Sequence, residues 1–386
     1  MRSHAIVLLL AGCGRFGFND QVGGDASVDA VPDTALHVTI TSDRMAGPST
    51  LASIDELPAG TVGLSIREAL AIANNHVGPD RVVFDPQVFP TSAPISLVLD
   101  SALVVGDTAT VLDASTAGVT LVPRAGLAGP LANVTGTDGT VDGLVFQGGD
   151  VAISAIGVTG LVIRRVHALD TIGDAFHLDN VANATIEDSR VDRAGPAPIH
   201  ISASTDSTVQ RTFVALAAKT GTVYGVRVEQ SSRIHLVDNT VDPGTAWMIS
   251  LQGTVDSEVI GNVIDGGDSG IVLTGTSDRN LVFRNVVMAP AYDSVYLDAT
   301  AHDNVVLNNT FFMASNVTDA GLNTSAKNNL VSVTAADFVA PAAYDFHLAA
   351  GNPAVDAAAD VGQDMLPASA ARFLGAGPDL GAVESY

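Results

Sequence analysis

A short phrase of one apolar, one variable and one apolar residue recurs through the middle of the chain and limits what the chain can fold into. Successive copies end 22 to 27 residues apart. The copies are Phe176-His177-Leu178, Ile199-His200-Ile201, Val226-Arg227-Val228, Ile249-Ser250-Leu251, Ile271-Val272-Leu273 and Val295-Tyr296-Leu297. A period of this length, with strand alternation inside each unit and no helical pattern between units, is typical of stacked coils. The sequence therefore predicts an all-β fold, a right-handed parallel β-helix.

Asparagine keeps step with this phrase, at Asn239, Asn262, Asn285 and Asn308, which are 23 residues apart. Asparagine tolerates left-handed backbone and forms side-chain ladders between stacked strands. One coil cannot bury its inward aliphatic side chains alone, whereas stacked coils bury them in a continuous column. A β-propeller is disfavoured because its blades need about 40–45 residues.

Composition and charge narrow the class of protein. The chain is 47% hydrophobic but only 5% aromatic, and it contains 37 glycines, which suits a narrow coil interior with tight corners. The formal net charge is −24. Nucleic acid is therefore disfavoured as a partner, since phosphate binding needs a basic surface.

The N-terminus predicts an export signal over residues 1–12, with a positive start and an apolar run too short to span a membrane. The run ends in Leu10-Ala11-Gly12-Cys13, which resembles the bacterial lipobox, and Cys13 is the only cysteine of the chain. The resemblance implies that Cys13 is lipidated and anchors the protein to a membrane of the bacterial cell envelope, with the outer membrane expected. Residues 13–36 lack periodicity and predict a flexible tether.

A short capping helix is predicted before the coils. Ser65 and Glu68 form a capping-box pattern, and apolar residues follow at helical spacing. Together with Val82-Val83-Phe84-Asp85-Pro86, the segment Leu64-Ser65-Ile66-Arg67-Glu68-Ala69-Leu70 resembles the N-terminal cap of bacterial surface β-helix proteins with a CSLREA motif. Leu64 and Ile66 depart from that motif by replacing its cysteine and its leucine. The resemblance places the cap and first coils in residues 37–130.

The remaining chain completes the predicted division, with β-helix repeats in residues 131–335 and a closing segment in residues 336–386. Tyr344-Asp345-Phe346-His347-Leu348, Asn352-Pro353-Ala354-Val355-Asp356 and residues 377–384 resemble the closing segment of secreted β-helix proteins. The repeats resemble the carbohydrate-binding and sugar-hydrolase repeats of the pectin-lyase-like superfamily. This fold hosts lyases, hydrolases, epimerases, adhesins and spacers, so the resemblance implies architecture more than activity.

Two outward rows of side chains form the candidate site. In each triplet the middle residue points outward if its neighbours point inward, and the residue two positions later points outward again. The first row is His177, His200, Arg227, Ser250, Val272 and Tyr296, and the second is Asp179, Ser202, Glu229, Gln252, Thr274 and Asp298. Asp174 lies at their edge. The predicted ligand-binding residues are His177, His200, Arg227, Asp179, Glu229, Asp174 and Tyr296.

The leading hypothesis is binding of a polysaccharide or another cell-envelope polymer without catalysis. The alternative is a polysaccharide lyase, glycoside hydrolase or epimerase acting on an acidic glycan, with His177, His200, Arg227, Asp179 and Glu229 as candidate catalytic residues. The carboxylates of Asp179 and Glu229 are two coils apart, which corresponds to roughly 10 Å at the usual spacing of strands. This distance is near the roughly 6.5–9.5 Å that separates the two catalytic carboxyl groups of inverting glycosidases. The motifs of polygalacturonases and pectate lyases are absent from the sequence, which favours binding. A passive spacer is the third possibility.

Charges and metals leave two questions open. Eight basic residues fall in one stretch of the sequence together with an equal number of acidic residues. The stretch either binds an anionic polysaccharide or forms salt bridges between coils. The basic residues are Arg164, Arg165, Arg190, Arg193, Arg211, Lys219, Arg227 and Arg233. No cofactor or metal is predicted: Asp265-Gly266-Gly267-Asp268 offers oxygen ligands to calcium without a calcium-loop motif, and His177 and His200 alone do not complete a zinc site.

Overall fold

The computed structural model describes residues 35–216, 223–244, 247–313, 317–341, 345–352 and 354–355. The predicted signal peptide, Cys13, the tether up to residue 34 and the chain beyond residue 355 lie outside the described residues. Within the described ranges, three parallel sheets of 12, 11 and 10 strands confirm the parallel β-helix. Among the helices of these ranges, none has the length and apolar character needed to cross a membrane.

Each full coil gives one strand to each sheet. Sheet A contains β1 (Leu36–Val38), β2 (Arg81–Phe84), β5 (Val111–Asp113), β8 (Thr140–Asp142), β11 (Val162–Arg164), β14 (Thr185–Glu187), β17 (Thr208–Gln210), β20 (His235–Val237), β23 (Glu258–Ile260), β26 (Leu281–Phe283), β29 (Val305–Leu307) and β32 (Ser325–Lys327). Sheet B contains β3 (Ile95–Leu99), β6 (Val119–Pro123), β9 (Val145–Gln147), β12 (His167–Leu169), β15 (Arg190–Asp192), β18 (Phe213–Ala215), β21 (Thr240–Asp242), β24 (Val263–Asp265), β27 (Val286–Met288), β30 (Thr310–Phe312) and β33 (Leu330–Val333). Sheet C contains β4 (Leu103–Val105), β7 (Pro130–Val134), β10 (Val151–Ile156), β13 (Phe176–Asp179), β16 (Ile199–Ser202), β19 (Tyr224–Glu229), β22 (Trp247–Gln252), β25 (Ser269–Thr274), β28 (Asp293–Leu297) and β31 (Val317–Asp319).

The core is the column of inward side chains that the triplet phrase predicts. Phe176, Ile199 and Val226 are register partners on consecutive strands of sheet C, and all three are buried. Equivalent aliphatic residues of sheets A and B complete one continuous core. Since burial comes only from the neighbouring coils, the register of the whole stack follows from the sequence period.

A ladder of buried asparagines links the coils, as predicted. The side-chain oxygens of Asn262, Asn285 and Asn309 each accept a hydrogen bond at 2.9 Å from the backbone N–H of the ladder asparagine one coil earlier, starting with Asn239. The predicted role of left-handed backbone is wrong for Asn239, Asn262 and Asn285, which have no positive φ; it is confirmed at Asn308, the neighbour of the ladder residue Asn309. The ladder exists to satisfy buried backbone amides, and not to relieve corner strain.

Among the described residues with left-handed backbone, one column of charged residues lies at the corner after sheet C. Asp206, Arg233, Asp256, Arg279 and Asp303 occupy successive coils, with φ between 52° and 56°. Their charges alternate in sign up the stack. Arg233 donates to both carboxylate oxygens of Asp206, and Arg279 does so to Asp256. The corner is thus stabilised by ion pairs where glycine or asparagine would ordinarily be expected.

The predicted capping helix is present as α1 (Ile66–Asn75), with both hydrogen bonds of the capping box between Ser65 and Glu68. It packs against β1, β2 and β4, the first strands of sheets A and C. Short 3-10 helices lie at Ile54–Glu56 and Ala335–Asp337. After the last coil, β34 (Phe338–Ala340) and β35 (Asp345–Leu348) form an antiparallel pair. The helix buries the apolar edge of the first coil, which would otherwise be exposed to water.

Candidate functional site

The two predicted rows of side chains lie in register on the outer face of sheet C. His177, His200 and Arg227 are partners on β13, β16 and β19, and the row continues through Ser250 and Val272. In the second row, Asp179 pairs with Ser202, and Ser202 pairs with Glu229. Strand pairing therefore brings together the two imidazoles, the guanidinium and both carboxylates of the predicted site.

The first row of outward side chains is not exposed to solvent along its whole length. Ser250 and Val272 are each only 1% exposed, although they occupy outward positions of the sheet. Tyr296 follows Val272 in the row and is therefore three strands away from Arg227. Asp298 lies beyond the end of β28, where its carboxylate accepts hydrogen bonds from Gly275 and Thr300. The reachable polar cluster is confined to β13, β16 and β19, and Tyr296 is not part of it.

Asp174 joins the two imidazoles. The Nδ1 atoms of His177 and His200 both donate to Oδ2 of Asp174, at 3.1 and 3.0 Å. The rings meet edge to face, with centroids 5.0 Å apart. Asp174 reaches this position from the turn just before β13, and its other carboxylate oxygen accepts a hydrogen bond from the N–H of Ala197 in the next coil. The edge residue of the sequence prediction is therefore the centre of the cluster.

Glu229 engages His200 from the opposite side. Nε2 of His200 donates to Oε2 of Glu229 at 2.9 Å, while Arg227 donates to Oε1 of the same carboxylate at 2.5 Å. Both ring nitrogens of His200 thus face carboxylate oxygens, which only accept hydrogen bonds, so the ring is held as an imidazolium. Asp179 is not part of this series of hydrogen bonds; its carboxylate accepts a hydrogen bond from Ser202 Oγ at 2.6 Å.

Two aromatic residues missed by the sequence analysis border the cluster. Tyr224 and Trp247 are register partners at the start of β19 and β22, and their rings meet edge to face at 5.8 Å. The guanidinium carbon of Arg227 lies 4.6 Å from the centre of the Tyr224 ring, and Trp247 remains 38% exposed. Gly225 lets the strands approach here, since a Cβ atom on it would lie 2.5 Å from the carbonyl oxygen of Met248.

The hydrogen bonds of the cluster determine its protonation. Burial opposes the charged form of Asp174, but the hydrogen bonds from His177 and His200 outweigh it and lower the pKa of Asp174 to about 2. Burial also opposes the charged form of His200, which by itself would lower the pKa of this imidazole. The hydrogen bonds to Asp174 and Glu229 outweigh that effect and raise the pKa of His200 above its ordinary value. The carboxylates and this imidazolium therefore stabilise each other.

These shifts predict a pH window for stability. The contribution of Asp174 is complete above its unfolded pKa, about 3.9, and is lost as the pH falls towards 2; its shift corresponds to about 2 kcal/mol. The contribution of His200 is complete below about pH 6.5 and is lost as the pH rises through its raised folded pKa. We expect Asp174→Asn to lower the melting temperature most between about pH 4 and 6.5. Melting curves across pH check this, and a deficit that does not vary with pH would contradict it.

Five of the basic residues that the sequence groups together form ion pairs between coils, whereas Arg190 and Arg227 pair with carboxylates on their own strands and Lys219 lies outside the described residues. Arg193 donates to Asp170, Arg211 to Asp188 and Arg233 to Asp206, each with a carboxylate one coil earlier. Arg164 and Arg165 both donate to buried Asp142. Of the two interpretations left open above, salt bridges between coils account for these arginines, and they leave no concentrated positive patch among these described side chains.

The donor atoms of the cluster also fit a metal ion, which the sequence analysis did not predict. Asp174, His177 and His200 each offer one ligand atom, and the three atoms lie within 4.8 Å of one another. In the described part of the chain this is the one group of three such donors. Two imidazole nitrogens with one carboxylate oxygen suit a transition metal better than calcium, which takes six to eight oxygens.

A solved structure with a TM-score above 0.5 confirms the fold class. The chain is similar to pectate lyase Pel9A, with 12% identity and a TM-score of 0.58, over 92% of this chain and 98% of that one. It also resembles PfbA, a surface adhesin of Streptococcus pneumoniae, with 12% identity and a TM-score of 0.48, over 69% and 88% of the two chains. A rhamnogalacturonan lyase matches at 10% identity and a TM-score of 0.47, over 76% and 89%. At these identities the likeness concerns the fold alone.

No curated protein sequence matches the chain. A family model does match, over residues 140–337, which is just over half of the chain and includes the whole polar cluster. That family is described as periplasmic, in agreement with the cell-envelope location predicted from the N-terminus. The three parallel sheets and the family match lead to the same conclusion: the chain is a parallel β-helix that belongs to the family described as periplasmic copper-binding protein, NosD.

Proposed function

We propose that this protein binds a polysaccharide along the outer face of sheet C without cleaving it, while Cys13 anchors it by lipid to the cell envelope. The observation that carries the binding proposal is the exposed Trp247 ring beside Tyr224 and the hydrogen-bonding side chains of β13, β16 and β19. An aromatic ring offers an apolar surface to a sugar ring, and neighbouring polar groups fix its orientation.

The charges of the face favour a neutral polysaccharide over an acidic one. Asp174, Asp179 and Glu229 contribute three carboxylates, against the guanidinium of Arg227 and the imidazolium of His200. Arg227 is already paired with Glu229, so it has no unpaired charge for a uronate. An acidic chain would meet a surface of like sign on a protein whose formal net charge is −24.

Catalysis is the second use of the same face. His200 is a poor base because both of its ring nitrogens donate to carboxylates. His177 is better placed, since Asp174 holds its Nδ1 and its side chain is 31% exposed. A carboxylate that orients an exposed imidazole is the arrangement of a general base. If cleavage occurs, His177 is therefore the base and Asp174 is the group that positions it.

We expect Trp247→Ala to weaken binding of a neutral glycan about tenfold or more, because it removes the exposed ring. The measurement is isothermal titration of the full chain with soluble neutral glucans and galactans, and with polygalacturonate for comparison. Ile54→Ala, which alters an exposed side chain outside the three sheets, is the control and leaves affinity unchanged.

The same samples separate binding from cleavage. Binding without shorter or unsaturated products supports the proposal. Products that disappear in His177→Ala would establish the enzymatic alternative. If no polymer binds, or if Trp247→Ala and Ile54→Ala behave alike, polysaccharide binding at this face is refuted.

The family description adds copper binding as a separate candidate function, and one observation favours it for this chain. The donor atoms of Asp174, His177 and His200 already converge in the part of the chain that the family model matches. We infer that the chain binds Cu(II) in the envelope. Titration of the full chain with copper sulfate tests this, with saturation near one ion per chain as the expected result, and absence of binding would refute it.

A further inference from the structure

We propose that Asp174, His177 and His200 are the copper ligands, with the metal bound through Nδ1 of both imidazoles, and that Glu229 and Arg227 position His200 for this role. The inference rests on copper binding as a function of the chain and assigns it to a site. The Nδ1 atoms of both rings already point at one carboxylate oxygen of Asp174, at 3.1 and 3.0 Å. A cation that replaces the shared hydrogen atoms is surrounded by three donors.

The backbone fixes two of the three ligands before metal arrives. His177 and His200 are register partners in the middle of adjacent strands, and the residues on either side of each are buried in the core. Only side-chain rotation is needed for a site on such strands to close around an ion. Binding therefore loses little conformational entropy. Asp174 is held by the hydrogen bond from Ala197 N–H, which leaves its other oxygen for the ion.

The donor set selects the oxidation state. Imidazole and carboxylate suit Cu(II), which accepts square-planar nitrogen and oxygen ligands, whereas Cu(I) prefers thiolate and thioether sulfur. With three protein ligands, the fourth position remains for water or a small anion. The partial exposure of His177, 31%, leaves that position accessible from solvent. The site therefore has the features of one that exchanges its metal, unlike a closed structural zinc site.

Glu229 and Arg227 form the support behind His200. Nε2 of the ring donates to Glu229 at 2.9 Å, which directs Nδ1 towards Asp174, and Arg227 holds the same carboxylate at 2.5 Å. A carboxylate behind a ligating histidine fixes the ring and raises its basicity. Neither residue touches the ion in this arrangement. Their effect on copper is exerted through the orientation of His200.

None of the other histidine–carboxylate pairs of the described chain shows this convergence, and two of these pairs lie on sheets A and B. His167 pairs with Asp192 on sheet B and His235 pairs with Glu258 on sheet A. Each offers one imidazole, and neither belongs to a group of three donors. His235 is thus a matched control, since it has the same ring and one carboxylate partner on another face of the coil.

The experiment is copper titration of the full chain without a histidine tag, followed by electron paramagnetic resonance. His4→Ala and Cys13→Ser are present in every sample, so that neither the N-terminal imidazole nor a thiolate offers copper another site. We expect hyperfine coupling to two nitrogens. Affinity for Cu(II) falls by about 100-fold or more in His177→Ala and in Asp174→Asn, and by about tenfold in Glu229→Gln. His235→Ala leaves affinity and spectrum unchanged, and calcium does not compete.

The outcomes distinguish the site from the function. If the parent chain binds no copper, both the copper function and this site fail. If it binds copper, but His177→Ala and Asp174→Asn match His235→Ala, copper binds elsewhere and only the site is refuted. Circular dichroism of each variant verifies folding, and coupling to a single nitrogen in His177→Ala is a signature that misfolding cannot produce. Neutral-glycan binding and its loss in Trp247→Ala are measured without copper, so neither result decides the other.

Discussion

Replacement of Asn262 by alanine is expected to lower the free energy of unfolding by about 3 kcal/mol, because it breaks the asparagine ladder. Oδ1 of Asn262 accepts from the N–H and the side-chain amide of Asn239, and its own amide donates to the carbonyl of Leu236 at 2.8 Å. The variant leaves the Asn239 N–H buried without an acceptor. Chemical denaturation monitored by circular dichroism provides the measurement.

The matched control for the ladder is Asn133→Ala. Asn133 lies in β7 on the outer face of sheet C, two strands before His177 in the same row. Its replacement is expected to change stability by no more than about 0.5 kcal/mol. Equal losses in the two variants would show that the ladder is not a special source of stability.

Phe176→Ala is expected to have the largest effect on the core, about 4 kcal/mol. Phe176 is fully buried between Ile153 and Ile199, its register partners in the coils on either side. Coils that pair by backbone hydrogen bonds cannot move together to fill the space, so a cavity remains beneath His177. The measurement is again chemical denaturation.

Two further variants make this test specific. Phe176→Leu keeps most of the volume and is expected to lose less than half as much stability, about 1.5 kcal/mol. Ile172→Ala removes an exposed aliphatic side chain, 72% accessible, and is expected to cost about 0.5 kcal/mol or less. The idea of a rigid core column is wrong if Phe176→Ala proves as mild as Ile172→Ala.

The coil architecture was predictable because one physical requirement repeats every 23 residues or so. Each coil must bury its inward side chains against its neighbours, so the pattern Phe176, Ile199, Val226 is visible in sequence and fixes the register that the strands adopt. The outward row of His177, His200 and Arg227 followed from the same alternation. The ladder was predicted too, although at Asn309 instead of Asn308 in its fourth coil.

Strict alternation fails at the start of β19 and β22, and this concealed the aromatic pair. Counting back from the triplets places Tyr224 and Trp247 inside, with Val226 and Ile249. In the structure Gly225 and Met248 are buried, and Trp247 is exposed. Gly225 was the available signal, because a glycine inside a strand often marks a bulge or the close approach of another backbone.

The partners of charged residues were harder to predict than their rows. Composition alone could not decide between a basic patch and salt bridges, yet a signal was present: Asp170 and Arg193, and Asp256 and Arg279, are 23 residues apart, one coil period. The central place of Asp174 carried no such signal. The corresponding positions of the next two coils hold Ala197 and Tyr224, so no carboxylate recurs there at the coil spacing.

The separation of inward from outward positions has a consequence for how such a protein changes over time. A substitution at His177 or Arg227 changes the outer face of sheet C and leaves the column of Phe176, Ile199 and Val226 intact. A functional group on the outer face can therefore be gained, lost or moved by one coil through single amino-acid changes that leave the packing of the interior unchanged. Relatives with the same fold can then bind different ligands while they keep their architecture. Similarity of fold is therefore a poor guide to the function of such a protein.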